Sequence, residues 1–351
     1  MAFAAGPLHR RRRDFAAVVA ATVSGRQQPG KRVFGSLRLP DVKPPCSTMA
    51  GNCGFPPFSL CRRQRETYNG NRPDYIAGGT GAGSTALIED LIFDVGMHRG
   101  EDAAFYLAKG FRVVGIEADP AHCAAAGERL RAFIETGRLT IVNAAIAARK
   151  ETVEFYRNLD VPEWGTMDDA LRARNARQGT RAERIVVEAV PMAEIFASFG
   201  IPYFMKVDIE GRDMLCVDAL RAAPSRPKFL SIEAHRFSLD AVKAEFDLMT
   251  ALGYRGFKVV PQHRVHQQVA PNPSREGIYV AHRFVNGTSG LFGEETPGGW
   301  VDAATAFKQY KPIFRRYRLV GDDPLIKIRR VRRILRRLGF EAGWYDTHAR
   351  L

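Results

Sequence analysis

Ile92-Phe93-Asp94-Val95-Gly96-Met97-His98-Arg99-Gly100 and Phe111-Arg112-Val113-Val114-Gly115-Ile116-Glu117-Ala118-Asp119-Pro120 are the stretches on which the fold turns. An apolar run breaks at Gly96 and Gly100, a helical segment follows, and a second apolar run ends in an acid. Strand, glycine turn, helix, strand and carboxylate, in that order, is the sequence form of a nucleotide-binding βαβ unit. The glycines let the backbone approach a ligand where a Cβ would collide with it. Glu117 follows Asp94 by 23 residues. At the end of the second strand its carboxylate can accept hydrogen bonds from both ribose hydroxyls of an adenosine. The pattern predicts an adenosine-containing cofactor.

The turn itself narrows the choice. The dinucleotide fingerprint G-x-G-x-x-G is absent, and the chain reads Asp94-x-Gly96-x-x-x-Gly100. A pyrophosphate needs close-packed glycine amides and an open helix N-terminus, whereas here Asp94, Met97, His98 and Arg99 crowd the turn. A carboxylate opening the turn suits a ligand with a cationic amino-acid end, as in S-adenosylmethionine. The plainer alternative has Asp94 capping the next helix and the glycines only making a turn; Glu117 at the matching position argues against it.

The same rhythm continues. Leu139 to Ile146 reads as a third strand carrying Asn143, Tyr203 to Gly211 as a fourth ending in Asp208 and Glu210, and Lys228 to His235 as a fifth ending in Glu233 and His235. Continuous apolar runs separated by helical segments predict a parallel sheet covered on both faces. In such sheets ligands bind at the carboxyl ends of the strands, so one crevice collects Asp94, Glu117, Asn143, Asp208 and Glu233.

Phe93-Asp94-Val95-Gly96, Glu117-Ala118-Asp119-Pro120, Asn143-Ala144-Ala145-Ile146, Lys206-Val207-Asp208-Ile209-Glu210-Gly211 and Ser231-Ile232-Glu233 occur in an order that resembles the FkbM family of S-adenosylmethionine-dependent methyltransferases. The resemblance spans residues 86–283, and the Lys-x-Asp-x-Glu-Gly element is its most specific part. It implies a class I methyltransferase fold, a Rossmann-like α/β architecture with a mainly parallel sheet and helices on both faces. It also implies O-methylation of a hydroxyl on a sugar, glycan or secondary metabolite. Many members have Ala-Asn after the first motif glycine, where this chain has Met97-His98.

The net charge of +14 is unevenly spread. Residues 1–84 carry 13 Lys+Arg against 4 Asp+Glu, residues 308–351 carry the same numbers, and the remainder carries 26 against 30. The domain between the ends is therefore mildly acidic, and an enzyme that grips a polynucleotide is more often basic around its cleft. The end of the fourth strand also lacks an Asn-Pro-Pro-Tyr-like element of base-amino methyltransferases, so nucleic acid is not the expected substrate. The five cysteines show no metal-ligand spacing, which points to a reducing, cytoplasmic setting with Cys123 and Cys216 as buried thiols. No run of about 18 apolar residues is present.

Three segments lie outside the motif core. Residues 1–84, with Arg10 to Arg13 and frequent Pro, Gly and Ser, read as a disordered basic extension. An insertion between the third and fourth strands alternates apolar and polar residues over 151–156 and 184–190. Between those strands, Trp164 to Met167 and the arginines 172, 174 and 177 form either a loop over the active site, favouring an acidic or phosphorylated substrate, or a solvated helix face. After residue 283, Gly287 to Glu295 reads as a lid loop and Ile326 to Leu338 as a basic amphipathic helix. Its stripe of Ile328, Val331, Ile334, Leu335 and Leu338 more often packs on its own domain than on an anionic membrane face. The aromatic–Asp–His ending, Trp344 to His348, is unusual for a frayed tail and suggests a return toward the cleft.

Methyl transfer to an alcohol needs alignment and a base. Asp208 is the first candidate, since the fourth strand ends beside the transferable methyl in this architecture. His235, with an ordinary pKa near 6.5, is the second. Glu210 and Glu233 orient either one, or join Asp208 around a divalent cation; because strand-end carboxylates also cap helices, no metal is assigned. Asp94, Gly96 and Gly100 are expected at the methionine and ribose end, Glu117 on the ribose and Asn143 near the adenine. A nicotinamide oxidoreductase and a non-catalytic basic adaptor for membranes or RNA are the alternatives.

Overall fold

β1 (Leu87–Val95) is exposed at Glu89 and Asp90 and buried from Leu91 to Val95, as a strand must be once neighbours and helices cover it. Then follow α1 (Glu101–Ala108), β2 (Arg112–Glu117), α2 (Pro120–Arg129), α3 (Arg131–Glu135), β3 (Leu139–Asn143) and β4 (Ala145–Ile146). The insertion supplies β5 (Glu151–Asn158), α4 (Asp169–Arg177) and β6 (Ala182–Val190). Next come α5 (Met192–Phe199), β7 (Ile201–Val207), α6 (Asp213–Ala219), β8 (Phe229–Glu233), α7 (Leu239–Ala251) and β9 (Gly256–Pro261). The chain ends with α8 (Ala303–Val320), α9 (Arg329–Arg337) and β10 (Tyr345–Arg350). The computed structural model describes residues 87–351 except Asn286, residues 322–324, Gly339 and Glu341. The chain divides into two units, 1–68 and 69–351, and the described residues belong to the second. The basic extension to residue 84, with Cys46, Cys53 and Cys61, lies outside the described residues.

The main sheet has seven strands in the order β3-β2-β1-β7-β8-β10-β9. All pairings among β3, β2, β1, β7 and β8 are parallel, and β10 runs antiparallel to both β8 and β9. This is the mainly parallel, Rossmann-like α/β arrangement expected from the sequence. Its strand order reverses between β1 and β7, where an open α/β sheet places its ligand crevice. A second sheet, β4-β6-β5, is built by the insertion.

Odd and even positions divide the core. Leu91, Phe93 and Val95 pack with Met205, Val207, Leu230 and Ile232 against Phe196, Val217, Phe246 and Tyr310 from α5 to α8. Ile92, Val113, Phe204 and Phe229 turn the other way, against Phe105 and Tyr106 of α1 and against Phe292. Each such side chain contributes roughly 1.5–3 kcal/mol of burial. Asp94, Gly115 and Lys206 sit in register with one another, which brings the Asp94 and Lys206 side chains together at the carboxyl edge of the sheet.

Several expectations change. The third strand is broken: β3 stops at Asn143, and Ala145–Ile146 pair instead with β6. The insertion forms both strands, while its arginine segment is the helix α4, capped by the Asp168 carboxylate accepting from the Leu171 N–H. Residues after 283 are not a separate appendage, because β10 is hydrogen-bonded inside the sheet. Gly287 to Glu295 is no free lid. Ser289 N–H bonds both Asp102 carboxylate oxygens at 3.0 Å, and Glu295 is tied by Lys109, Ser274 and two backbone N–H groups. The stripe of α9 is not buried on the domain: Ile328, Ile334 and Leu338 are 64%, 54% and 76% exposed.

Candidate active site

Gly96 leaves β1 with φ 81°, and a Cβ there would overlap the Asp208 carbonyl oxygen. Only glycine fits a left-handed position so close to another backbone. The N–H groups of Gly96 and Met97 both donate to the Ile116 carbonyl, at 2.9 and 3.1 Å, which ties the turn to β2. Met97 is buried over Gly115, where a Cβ would run into its sulfur. The departure from the Ala-Asn pattern is thus accommodated by a glycine on the next strand. His98 donates its N–H to Glu117 Oε2 at 2.9 Å, and Asp119 donates its own to Oε1 at 2.8 Å. Glu117 is therefore a fixed, buried carboxylate on the cavity wall, with lone pairs to spare.

Beneath this turn lies a buried ion cluster. Lys206 Nζ stands 3.2 Å from Asp94 Oδ1, 3.5 Å from Asp102 Oδ2 and 3.9 Å from Asp208 Oδ2, and it donates to the Gly96 carbonyl at 3.1 Å. Burial pushes the Asp94 carboxyl up to about 7 against the pull of Lys206. Burial would push the Lys206 ammonium down, but Asp94, Asp102 and Asp208 outweigh it and hold the lysine charged. The first turn of α1 carries Glu101 and Asp102, and both line the cavity. Two acids at a helix N-terminus repel a pyrophosphate, which disfavours the nicotinamide alternative.

One cavity of about 420 Å³ joins the turn to the ends of β7, β8 and β10, a volume in the range of small-molecule sites. Because β10 is antiparallel, its first residues arrive at the same edge as the last residues of its parallel neighbours. Trp344 and Asp346 thereby join Asp208, Glu210 and Glu233 in the lining. Carboxylate oxygens of Asp208, Glu210 and Glu233 lie within 4.8 Å of one another. Burial, then Glu233 and Asp208, push the Glu210 carboxyl well up. Burial raises Glu233 to about 7 despite Arg236, whose Nε is 3.5 Å from Glu233 Oε1. The insertion covers this half: Thr166 Oγ1 donates to the Glu210 carbonyl at 2.9 Å, and Trp164, Gly165 and Met167 line the cavity.

Of the residues singled out in the sequence, Gly96 and Glu117 line the turn half of the cavity and Asp208, Glu210 and Glu233 the other half, while Asp94 lies beneath the turn and outside the lining. Gly100, Asn143 and His235 do not line the cavity either. Gly100 caps α1 at φ 77°, and a Cβ there would meet Leu130, so its role is packing. Asn143 donates to the carbonyls of Glu117 and Ala118 at 2.9 and 3.1 Å; it fixes the end of β2, while Ala144, Ala145 and Ile146 form the wall. His235 is exposed, and its Nδ1 accepts from the N–H groups of Phe237 and Ser238 at 3.2 and 3.1 Å. It shapes the entry to α7 instead of reaching the cavity. Arg172, Arg174 and Arg177 are also absent from the lining; Arg174 is buried 4.6 Å from the Trp164 ring centroid.

The sequence reading passed over Asp102, His122 and Gln262 and gave no site role to His98 or Lys206, all of which line the cavity; Trp344 and Asp346 line it too, in line with the suggested return of the C-terminal cluster toward the cleft. The rings of His98 and His122 meet edge to face at 4.2 Å, and His98 Nε2 is buried without a hydrogen-bond partner. Lys206 carried a legible signal, since a lysine two residues before Asp208 in a strand shares its face.

Residues 94–259 match the model of the methyltransferase FkbM domain. No curated protein matches. Among solved structures, the chain is similar to methyltransferase FkbM from Methylobacillus flagellatus KT at 21% identity and a TM-score of 0.34, over 50% of this chain and 40% of that one. It is also similar to precorrin-6y C5,15-methyltransferase from Geobacter metallireducens GS-15, at 14% identity, 50% and 69% coverage and a TM-score of 0.27. A third is phosphoethanolamine N-methyltransferase 2 of Haemonchus contortus in complex with S-adenosyl-L-methionine, at 12% identity, 76% and 49% coverage and a TM-score of 0.29. The match thus spans less than half of the Methylobacillus protein.

Proposed function

We propose that this chain, whose residues 94–259 form a methyltransferase FkbM domain, transfers a methyl group from S-adenosylmethionine to a hydroxyl of a sugar, glycan or secondary metabolite. The observation that carries the reading is the fixed Glu117 carboxylate facing the Gly96 turn, in the same cavity as Asp208. The donor set fits the cofactor. Glu117 accepts the ribose hydroxyls, the buried Asp94–Lys206–Asp102 cluster supports the methionine end, and the orphaned His98 Nε2 offers a further polar contact. The Ala144 to Ile146 wall supplies an apolar face for the base. When bound, S-adenosylmethionine supplies an electrophilic methyl on a sulfonium centre, whose charge suits a carboxylate-rich cavity.

The acceptor half supports a polyhydroxylated substrate. Trp164 and Trp344 offer flat apolar faces, and Asp208, Glu210, Glu233 and Gln262 offer hydrogen-bond partners for hydroxyls. Asp208 takes the proton of the acceptor hydroxyl as its oxygen bonds to the methyl carbon. The Asp208 side chain is partly open, so a proton taken there can pass on to water. The test is Asp208→Asn with a panel of sugar and metabolite acceptors, measured together with S-adenosylhomocysteine binding. Turnover should fall by about 10²-fold or more with binding retained; full turnover would remove Asp208 from the chemistry.

The C-terminal helix supports a peripheral contact with an anionic membrane. No described helix is long and apolar enough to cross a bilayer. Residues 325–338 contain seven Lys and Arg and no acid, beside the exposed Ile328, Ile334 and Leu338. An apolar stripe bordered by arginines suits the interface of an anionic bilayer.

A further inference from the structure

We propose that the acceptor half of the cavity holds a divalent, oxygen-seeking cation such as Mg2+ or Mn2+, bound by Asp208, Glu210 and Glu233 with Asp346 and Gln262 completing the site. The three carboxylates offer oxygens within 4.8 Å of one another. A cation with oxygens at 2.0–2.6 Å has opposite ligands about 4–5 Å apart, so the spacing needs little adjustment. Acid clusters at strand ends also arise without any ion, and two further side chains set this one apart.

Asp346 is directly opposite Glu233 in the β8–β10 ladder, so both side chains leave the same face of the sheet at adjacent positions. Like charges directly opposite each other destabilise a sheet. Asp346 is only 7% exposed and lines the cavity beside Glu233. Gln262, which enters the same cavity from the segment after β9, is 2% exposed, and neither Nε2 nor Oε1 has a partner. A buried amide left unpaired costs on the order of 1–3 kcal/mol, and a cation with its water shell would satisfy it and offset the facing carboxylates. Nearby cations are already engaged. Lys206 is divided among Asp94, Asp102 and, at 3.9 Å, Asp208, and Arg236 Nε lies 3.5 Å from Glu233 Oε1.

The site would contribute to the proposed methyl transfer by lowering the pKa of an acceptor hydroxyl in the cation's coordination shell, with one Asp208 oxygen on the cation and the other left to take the proton. That role rests on the methyltransferase reading; the binding itself does not. The test is Mn2+ titration of the full chain followed by electron paramagnetic resonance, with S-adenosylhomocysteine calorimetry run separately. One Mn2+ per chain is expected, displaced by excess Mg2+. Glu233→Gln and Asp346→Asn should each weaken binding tenfold or more, and Gln262→Leu should weaken it severalfold. Folded wild-type protein that leaves all Mn2+ free would overturn the site, as would affinities unchanged in all three variants. If Mn2+ is not bound but a cationic amine acceptor is, the carboxylates are a substrate pocket and the metal proposal is wrong. Mn2+ binding without S-adenosylhomocysteine binding would support the metal and sink the methyltransferase reading.

Discussion

Glu117→Ala separates a cofactor-binding carboxylate from a merely structural one. In the folded protein both oxygens are already engaged, Oε2 by the His98 N–H at 2.9 Å and Oε1 by the Asp119 N–H at 2.8 Å. Alanine removes the acceptors for the ribose and also strands two backbone donors. Hydrogen bonds to a charged group contribute roughly 1.5–3 kcal/mol, so affinity for S-adenosylhomocysteine should fall by roughly 10- to 150-fold. The stranded Asp119 N–H is buried, and the unliganded variant should lose roughly 1–3 kcal/mol of stability. Glu117→Gln keeps the shape, but its amide nitrogen must face one of the two N–H groups, so it should not restore binding. Calorimetric titration measures the affinity, and urea unfolding without ligand measures the stability. A folded Ala variant that binds within about twofold of the wild type, well under the energy of one such bond, would refute the ribose assignment. Full rescue by Gln would refute the argument from the two backbone donors.

Lys206→Met should cost about 3–5 kcal/mol of unfolding free energy in urea, because it leaves Asp94 and Asp102 buried without their cation; a loss under about 1 kcal/mol would show that the cluster is not a buried ion network. Burial raises the Glu245 carboxyl from 4.5 to about 8. Between those values the folded chain holds a proton that the unfolded chain has lost, so stability falls as pH rises, by up to about 1.4 kcal/mol per pH unit. Glu245→Gln should flatten that slope in urea unfolding; parallel profiles would refute the shift. The full chain should sediment with vesicles of anionic lipid and not with neutral ones, and Ile334→Ser with Leu338→Ser should abolish this; binding to both vesicle types, or unchanged binding by the variant, would count against the α9 contact.

How much of this was legible follows from how local each feature is. The β1–turn–α1–β2 unit is contiguous, so Asp94, Gly96 and Glu117 announce themselves by spacing. Lys206, Asp208 and Glu210 lie within five residues of one another, at and just past the end of β7, so one contiguous motif carries all three. Gly100 and Asn143 were misread because a glycine that packs and a glycine that cradles leave the same trace. An asparagine that binds carbonyls likewise resembles one that binds a base. His235 lies two residues past the end of β8, where the chain has already turned toward α7 and directs the ring at its own backbone. Asp346 could not be placed without knowing that the last strand enters the sheet antiparallel, since nothing local in Tyr345–Arg350 tells which strands it joins.

The same topology resolves the mismatch between a chain of net charge +14 and its site. Eight carboxylates line the cavity, from Glu101, Asp102, Glu117, Glu163, Asp208, Glu210, Glu233 and Asp346, against the two cations of Lys206 and Arg236. In a partly buried cavity such an imbalance favours cationic ligands and repels phosphorylated or acidic ones. The arginines of α4, which as sequence suggested an anionic substrate, are spent elsewhere, with Arg174 on the face of Trp164 and Arg172 on Tyr156. The positive excess lies instead in residues 1–84 and 308–351, the latter with six arginines in α9. The proposed sulfonium cofactor would relieve part of the negative excess at the turn, and the proposed divalent cation would relieve it among Asp208, Glu210, Glu233 and Asp346. The two proposals therefore answer one electrostatic problem at opposite ends of one cavity, and each is open to measurement without the other.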